Sequence, residues 1–169
     1  IVRGNEWHFA SQVGPGTAAY YVSPPWGRAS DVPVAGDWDG DGLDTPGLFR
    51  KGTWYLSHRM ENPTTARRVT FGQAGDVPVV GDWDGDGKDG IGVFREGSWH
   101  LVDDITAPTI SRTIELGEPG DQPVVGDWHR LGVVSIGVFR PSTGRWLLRK
   151  SLDDPTILEF GWGPRWTVG

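Results

Sequence analysis

The chain repeats one motif three times at a fixed spacing. The three copies are PVAGDWDGDGLDTPGLFR (33–50), PVVGDWDGDGKDGIGVFR (78–95) and PVVGDWHRLGVVSIGVFR (123–140). Within them, Trp38, Trp83 and Trp128 each lie 45 residues after the previous one. A period in the forties indicates a single supersecondary unit that recurs along the chain. The repeat therefore constrains the architecture before any single residue is considered.

The second copy shows the pattern of one unit most clearly. The predicted strands cover residues 77–80, 91–95, 98–102 and 110–116. Glu96-Gly97 predicts a tight hairpin turn, because glycine adopts the positive φ that such turns require. In the third strand, alternation predicts that Trp99 and Leu101 share one face while Val102 lies on the other.

Four antiparallel strands in each unit of this length are typical of a β-propeller blade. A β-sandwich has no reason to repeat at a fixed period, and solenoid coils are usually shorter. The 26 glycines, 13 prolines and 10 tryptophans also fit many short strands joined by tight turns. We therefore predict an all-β fold, a β-propeller of four-stranded antiparallel blades in a single domain.

The two ends of the chain predict how the ring is completed. Val2-Arg3 aligns with the end of the second strand, Trp7 aligns with Trp99, and residues 160–169 align with 71–81. The units are then approximately 1–23 (partial), 24–70, 71–115, 116–160 and 161–169, the last completing the first. This arrangement favours a four-bladed ring closed by the N- and C-terminal strands, which leaves no exposed edge. The alternative is an open arc that completes a seven- or eight-bladed ring by association.

Composition excludes several classes of partner and site. The formal net charge is −6, and no run of Lys or Arg exceeds two residues, so nucleic acid and anionic membranes are poor partners. No apolar stretch approaches the 18 residues or so that membrane insertion requires. The absence of cysteine excludes disulfides, thiolate metal sites and thiol catalysis.

The first two copies carry an Asp-x-Asp-Gly-Asp-Gly loop that is typical of cation binding. Three carboxylates within five residues repel one another unless a cation lies between them, although Asp and Gly also favour ordinary turns. The third copy keeps Asp127, but His129 and Leu131 stand in place of the later acids and Arg130 adds a cation. We expect a cation in the first two loops and none in the third.

The sequence Gly-Asp-Trp-Asp-Gly-Asp-Gly, followed by Ile-Gly-Val-Phe-Arg and preceded by Phe71-Gly72, resembles the FG-GAP/VCBS repeat family. The resemblance covers essentially the whole chain. It implies β-propeller blades, Ca²⁺ in the Asp-rich loops, and a secreted or surface-exposed bacterial protein or an integrin-like receptor. Modules of this kind usually serve adhesion or ligand binding.

The resemblance also implies a set of calcium ligands. Side-chain ligands at the first, third and fifth loop positions would be Asp37, Asp39, Asp41 and Asp82, Asp84, Asp86. Backbone carbonyls at the seventh position would belong to Leu43 and Lys88. The usual ninth-position Asp is missing, but Asp44 and Asp89 stand one residue earlier and are candidate ligands. We expect weak affinity, with a dissociation constant of roughly 10⁻⁴–10⁻³ M.

Aromatic residues that differ between the copies are candidates for ligand contact. These residues are Tyr20, Tyr21, Trp26, Trp162 and Trp166. Exposed aromatic faces beside polar groups suit sugar stacking or protein anchoring, although the same residues could seal the junction between the chain ends. The repeated Arg3, Arg50, Arg95 and Arg140 are expected to stack on Trp or pair with Asp rather than bind a ligand.

Three functions from different classes follow. The favoured one is a non-enzymatic, calcium-stabilised binding module for a glycan or a cell-surface or protein ligand. The second is a scaffold that acts through protein contacts or self-association. The third is a lyase or hydrolase with a site in the central channel, for which the sequence offers no nucleophile motif and no metal-ligand spacing among its four histidines.

Overall fold

The computed structural model describes residues 26–161 in full and, ahead of them, only the backbone of three short strands. Those strands form a three-stranded N-terminal sheet of β1 (Val2–Arg3), β2 (Glu6–Ala10) and β3 (Tyr20–Val22). Sheet 1 contains β4 (Val32–Gly36), β5 (Thr45–Arg50), β6 (Thr53–Leu56) and β7 (Arg67–Thr70). Sheet 2 contains β8 (Val77–Gly81), β9 (Gly90–Arg95), β10 (Ser98–Val102) and β11 (Arg112–Glu115). Sheet 3 contains β12 (Gln122–Gly126), β13 (Ser135–Arg140), β14 (Arg145–Arg149) and β15 (Ile157–Gly161).

The fold is all-β, and each numbered sheet is an antiparallel meander in which strands pair in chain order. The prediction of four antiparallel strands per unit is confirmed for three units. In sheet 2, β11 begins at Arg112, two residues later than predicted, although the Ser111 N–H still donates to the Leu101 carbonyl at 2.9 Å. Within the described part of the chain, no helix is long and apolar enough to cross a bilayer.

Two of the hairpins use the same two-residue turn. Glu96 and Gly97 have φ values of 51° and 102°, and Lys51 and Gly52 have 48° and 87°. Positive φ at both central positions defines a type I′ turn, whose twist matches that of the flanking strands. A Cβ atom added at Gly97 would lie 2.5 Å from the Gly117 carbonyl oxygen, so this position requires glycine sterically as well. The turn predicted at Glu96-Gly97 is confirmed.

Apolar side chains form two cores, one on each face of sheet 2. The first core packs Trp38, Phe49, Trp54 and Leu56 of the first unit against Ile91, Val93, Val102 and Ile105 of the second. The second packs Val79, Phe94, Trp99 and Leu101 of the second unit against Ile136, Val138 and Leu152 of the third. Sheet 2 is therefore buried on both faces, and the predicted division of Trp99 and Leu101 from Val102 is confirmed.

A completely buried tryptophan lies in each of these two cores, one from sheet 1 and one from sheet 2. Trp54 and Trp99 are completely buried, and their indole N–H groups donate to the carbonyls of Phe71 and Leu116 at 3.0 and 2.8 Å. Each ring lies 5.0 Å from the phenylalanine on the adjacent strand, tilted by 58° or 59°. Such tilted pairs contribute about 0.5–1.5 kcal/mol beyond the burial of their area.

The first strands of the units lie side by side, since β8 neighbours both β4 and β12. In the N-terminal sheet, Val2 pairs with Trp7, which is the register of Phe94 with Trp99 in sheet 2. These two N-terminal strands therefore pair in the register that the alignment predicts, and the assignment of residues 1–23 to a partial unit stays a prediction. The predicted closing strand, apart from Gly161, lies outside the described residues and stays a prediction.

A buried ion pair recurs at the same place in all three units. Asp76 has a side chain that is 1% exposed, and it accepts two hydrogen bonds from Arg95 at 2.7 and 2.8 Å and one from the Gln73 N–H at 2.8 Å. The corresponding pairs are Asp31 with Arg50 and Asp121 with Arg140. The repeated arginine thus pairs with an aspartate, and the bidentate geometry fixes the turn before each first strand to the second strand.

We predict that Arg95→Met lowers the free energy of unfolding at neutral pH by about 2 kcal/mol, because it leaves a buried carboxylate without its cation. Burial alone raises the pKa of Asp76, but the hydrogen bonds from Arg95 and Gln73 outweigh it, so the pKa lies below the ordinary 3.8. The pair therefore stabilises the fold above about pH 4, and this contribution is lost as the pH falls through the lowered pKa.

Urea unfolding between pH 3 and pH 7 measures both effects. Arg95→Lys is the matched control, since it keeps the charge and loses only the bidentate geometry. Equal unfolding free energies for the Met variant and the parent at pH 7 would contradict the assigned role of the pair.

Candidate metal loops and the cleft between sheets 1 and 2

Loop 1, residues 37–45, connects β4 to β5 and wraps around the carboxylate of Asp37. Oδ1 of Asp37 accepts hydrogen bonds from the N–H groups of Gly40 and Asp41 at 2.7 and 3.1 Å, and Oδ2 accepts from Gly42 at 2.7 Å. Positive φ at Gly40 (79°) and Gly42 (84°) turns these N–H groups inward. The sequence Asp-x-Asp-Gly-Asp-Gly thus folds into a compact acidic turn.

Loop 2, residues 82–90, has the same construction between β8 and β9. Asp82 accepts from the N–H groups of Gly85 and Gly87 at 2.7 and 3.0 Å. The exposed Asp84 accepts a hydrogen bond from the Asp86 N–H at 3.1 Å, and the exposed Asp86 accepts one from the Lys88 N–H at 2.8 Å. The fold therefore imposes one geometry on both sequences, as their shared motif predicts.

Three carboxylates converge in each loop. In loop 1, one oxygen from each of Asp37, Asp39 and Asp41 can be chosen so that all three lie within 4.8 Å of one another, and loop 2 offers the same arrangement. Two oxygens bound to one Ca²⁺ ion are at most about 5 Å apart, since each Ca–O distance is about 2.3–2.6 Å. The three oxygens in each loop are therefore close enough together to contact one hard divalent cation.

The third loop, residues 127–134 between β12 and β13, lacks this cluster of carboxylates. Asp127 accepts hydrogen bonds from the N–H groups of Leu131 and Gly132 at 2.8 and 2.9 Å, so the turn is kept. These and further backbone hydrogen bonds hold the pKa of Asp127 below its ordinary value. With His129 and Leu131 in place of the other two acids, the loop is closed by hydrogen bonds to Asp127.

The candidate ligand Asp89 faces loop 1 rather than its own loop. Its carboxylate accepts from the Asp37 N–H at 2.8 Å, and its own N–H donates to the Asp37 carbonyl at 2.7 Å. Burial raises the pKa of Asp89, and the carboxylates of Asp44, Asp37 and Asp82 raise it further, against the hydrogen bond from Asp37. In the next unit the Val134 N–H donates to the Asp82 carbonyl at 2.8 Å, with no carboxylate beside it.

Successive loops also stack through side chains. Lys88 of loop 2 lies against Gly40 of loop 1, where an added Cβ would be 2.9 Å from the lysine Cγ. Val133 of the third loop lies in the same way against Gly85 of loop 2. Leu43, the equivalent residue of loop 1, is 60% exposed. The seventh-position carbonyls of Leu43 and Lys88, and the exposed Asp44, stay predicted ligands.

A cleft of about 480 Å³ opens between sheets 1 and 2, beside loops 1 and 2. Its carboxylates are Asp39, Asp84, Asp86, Asp89, Asp103 and Asp104. The remaining lining residues are Trp38, His58, Arg67, Lys88, Ile105 and Thr106. His58 Nδ1 lies 2.9 Å from Asp39 Oδ2, so this histidine connects the wall of the cleft to loop 1. The sequence does not predict this cleft, because its lining comes from two units and five separate segments.

Trp26, the one predicted aromatic ligand residue whose side chain is described, does not line this cleft. Trp26 is half-buried at the start of the first full unit. Only the backbone of Tyr20 and Tyr21 is described, in β3, and Trp162 and Trp166 lie outside the described residues. Their role in ligand contact stays a prediction.

Comparison of the chain with protein-family models, with curated proteins and with solved structures gave no match. The function is therefore inferred from the geometry of the loops and of the cleft.

We predict opposite effects for two substitutions of Asp89 in calcium-free protein. Asp89→Ala removes the acceptor of the Asp37 N–H and should lower the unfolding free energy by about 1 kcal/mol. Asp89→Asn keeps an acceptor oxygen but removes a buried charge from among other carboxylates, so it should raise stability at pH 7.

Thermal unfolding in EDTA measures both changes. Glu61→Gln is the control, because it removes an exposed carboxylate outside both loops and leaves the contact between Asp89 and Asp37 unchanged. A loss of stability in Asp89→Asn as large as that in Asp89→Ala would contradict this account.

Proposed function

We propose that the chain is a non-enzymatic, calcium-stabilised binding module with a β-propeller architecture, which recognises a glycan or another surface ligand. The observation that carries the proposal is the convergence of three carboxylates in each of two equivalent loops. Carboxylate oxygens at this spacing are the ligands that Ca²⁺ prefers, and the six acids would otherwise repel one another. The third loop has replaced its acids, which argues that the clusters are not required for the turn itself.

The propeller architecture is supported by the stacking of the sheets. In a propeller, each four-stranded blade packs face to face on the next, and the first strands surround a common centre. Sheet 1 packs on sheet 2 and sheet 2 on sheet 3, and their first strands share a groove lined by Val34, Val77, Val79, Pro123 and Val125, which supports this architecture. A fourth blade would combine the N-terminal sheet with the predicted closing strand.

Calcium in loop 1 would stabilise the contact between the first two units. Asp37 supplies a candidate ligand oxygen, and its backbone N–H and carbonyl both bond to Asp89 of the next unit. A bound cation would also offset the repulsion that raises the pKa of Asp89. Because the ion would bind the folded loops better than the open chain, it should raise stability by mass action.

The ligand-binding part of the proposal is supported by the cleft beside the loops. Protein sites for small ligands are typically concave, with volumes of about 300–1,000 Å³, and this cleft of about 480 Å³ is lined by convergent polar groups from two units. A dissociation constant for Ca²⁺ of roughly 10⁻⁴–10⁻³ M is typical of extracellular modules, so we propose a secreted or cell-surface location.

We predict that 10 mM CaCl₂ raises the midpoint of thermal unfolding relative to EDTA. At roughly 10–100 times the dissociation constant, each occupied loop adds about 1.4–2.7 kcal/mol, or several degrees for a domain of this size. The variants Asp39→Asn/Asp41→Asn and Asp84→Asn/Asp86→Asn should each lose about half of the shift, and the fourfold variant should lose all of it.

Glu61→Gln is the matched control, because it removes an exposed carboxylate outside both loops. Mg²⁺ at the same concentration should have a smaller effect, since it binds reluctantly to all-protein oxygen sites. A calcium-independent unfolding midpoint in the parent protein would refute the metal assignment. A calcium shift that persists in the fourfold variant would place the ion elsewhere.

A further inference from the structure

The three units form two equivalent junctions, which differ in their chemistry. The first junction, between sheets 1 and 2, holds the cleft with six carboxylates and the cations Arg67 and Lys88. At the second junction, the residues that correspond to Asp86, Lys88 and Asp89 in the sequence repeat are Leu131, Val133 and Val134. Val134 packs there against the second core. The polar lining therefore belongs to the first junction and is not a general feature of the repeat.

The arginine on the last strand of each unit shows the same contrast. In the second junction, Arg112 of β11 forms an ion pair with Asp153 of the third unit. The equivalent arginine in the first junction is Arg67 of β7. After the longer hairpin of the third unit, Trp99 aligns with Trp146, and on this alignment Thr106 stands in the position that corresponds to Asp153. Among the described residues, Arg67 has no ion-pair partner, and it lines the open cleft.

Lys88 is a second cation without an ion-pair partner in the described part of the chain. Its stem lies against Gly40, which brings it to the cleft between the two loops. Asp104, which is exposed, also lines the cleft. The cleft thus presents strong donors and strong acceptors together.

We propose that this cleft is the ligand site of the module and that it takes a neutral, hydroxyl-rich saccharide, with Arg67 and Asp104 as contact residues. This inference rests on the proposed binding function and assigns its location and its ligand class. Each saccharide hydroxyl both donates and accepts hydrogen bonds, so it can satisfy carboxylates and guanidinium or ammonium groups at the same time.

Other ligand classes satisfy only part of this lining. A polyamine or basic peptide would donate to the carboxylates but place like charge beside Arg67 and Lys88. A polyanion would meet six carboxylates. The negative charge of the cleft favours a cation only while the loops are empty, because one Ca²⁺ ion in each loop would offset four of the negative charges. In the calcium-loaded module, a neutral polar ligand is therefore the better match.

The experiment screens the calcium-loaded full chain on an array of neutral oligosaccharides and measures the best ligand by isothermal titration calorimetry. We expect Arg67→Gln and Asp104→Asn each to weaken binding at least tenfold, because each removes a charged hydrogen-bonding group from the cleft. Asp104→Asn keeps the acceptor for the Thr106 N–H, which now lies 2.7 Å from the carboxylate, so the local turn should survive. Arg112→Gln, the equivalent change at the second junction, should leave saccharide affinity unchanged.

Each result has a defined consequence. No binding to any array member, or binding that both cleft variants retain, overturns the proposal. Tighter binding of spermidine or free amino acids than of any saccharide overturns the ligand class. Saccharide binding that persists in EDTA but is lost in both cleft variants supports this site while contradicting the calcium dependence of the proposed function. The unfolding midpoint of each variant shows whether a loss of binding reflects the cleft or the fold.

Discussion

The structure depends on the packing of one β-sheet face against the next. Sheet 2 carries large apolar side chains on both faces, with Ile91 and Val93 directed to sheet 1 and Phe94 and Trp99 directed to sheet 3. Such a sheet cannot stand alone in water, since either face would expose several buried residues at about 25 cal/mol per Å² of apolar surface. The indole N–H groups of the completely buried Trp54 and Trp99 donate to the carbonyls of Phe71 and Leu116. These hydrogen bonds hold the residue that follows the last strand of each of these two sheets.

The position of both loops follows from this stacking. When sheets pack at a constant spacing, equivalent turns come together along one side, and the loop of each unit rests on the loop before it through Lys88 or Val133. The backbone bridge from Asp89 or Val134 to the preceding loop repeats as well. What differs is the chemistry of the two junctions: the first is lined by polar residues and holds the cleft, whereas at the second Arg112 pairs with Asp153 and Val134 packs against the core. Divergence at a position that the fold does not constrain is where binding function is expected.

Local pattern predicted much of the fold because the relevant interactions are local or repeated. The strand Ser98–Val102 and the turn at Glu96-Gly97 follow from alternation and from the backbone freedom of glycine, both of which act within a few residues. The three-carboxylate loops could also be predicted from the sequence, since the three acids of each loop lie in one short segment. The partner of Arg95 could be predicted only as a class, because Asp76 lies 19 residues away and is brought to it by strand pairing. The direction of Asp89 was missed for the same reason, since its acceptor role depends on a loop 52 residues earlier.

The sequence by itself determined the repeating four-stranded unit, the place of its turns and the acidic loops, because period, alternation and turn chemistry are properties of contiguous residues. The tertiary structure alone decided that Asp89 joins two units, that Arg67 faces an open space and that Arg112 does not, and that a cleft exists between sheets 1 and 2. These features arise where residues from different units meet. Their geometry depends on how the sheets stack, and a difference such as Thr106 against Asp153 decides whether the arginine of the preceding unit pairs with an acid or lines a cleft.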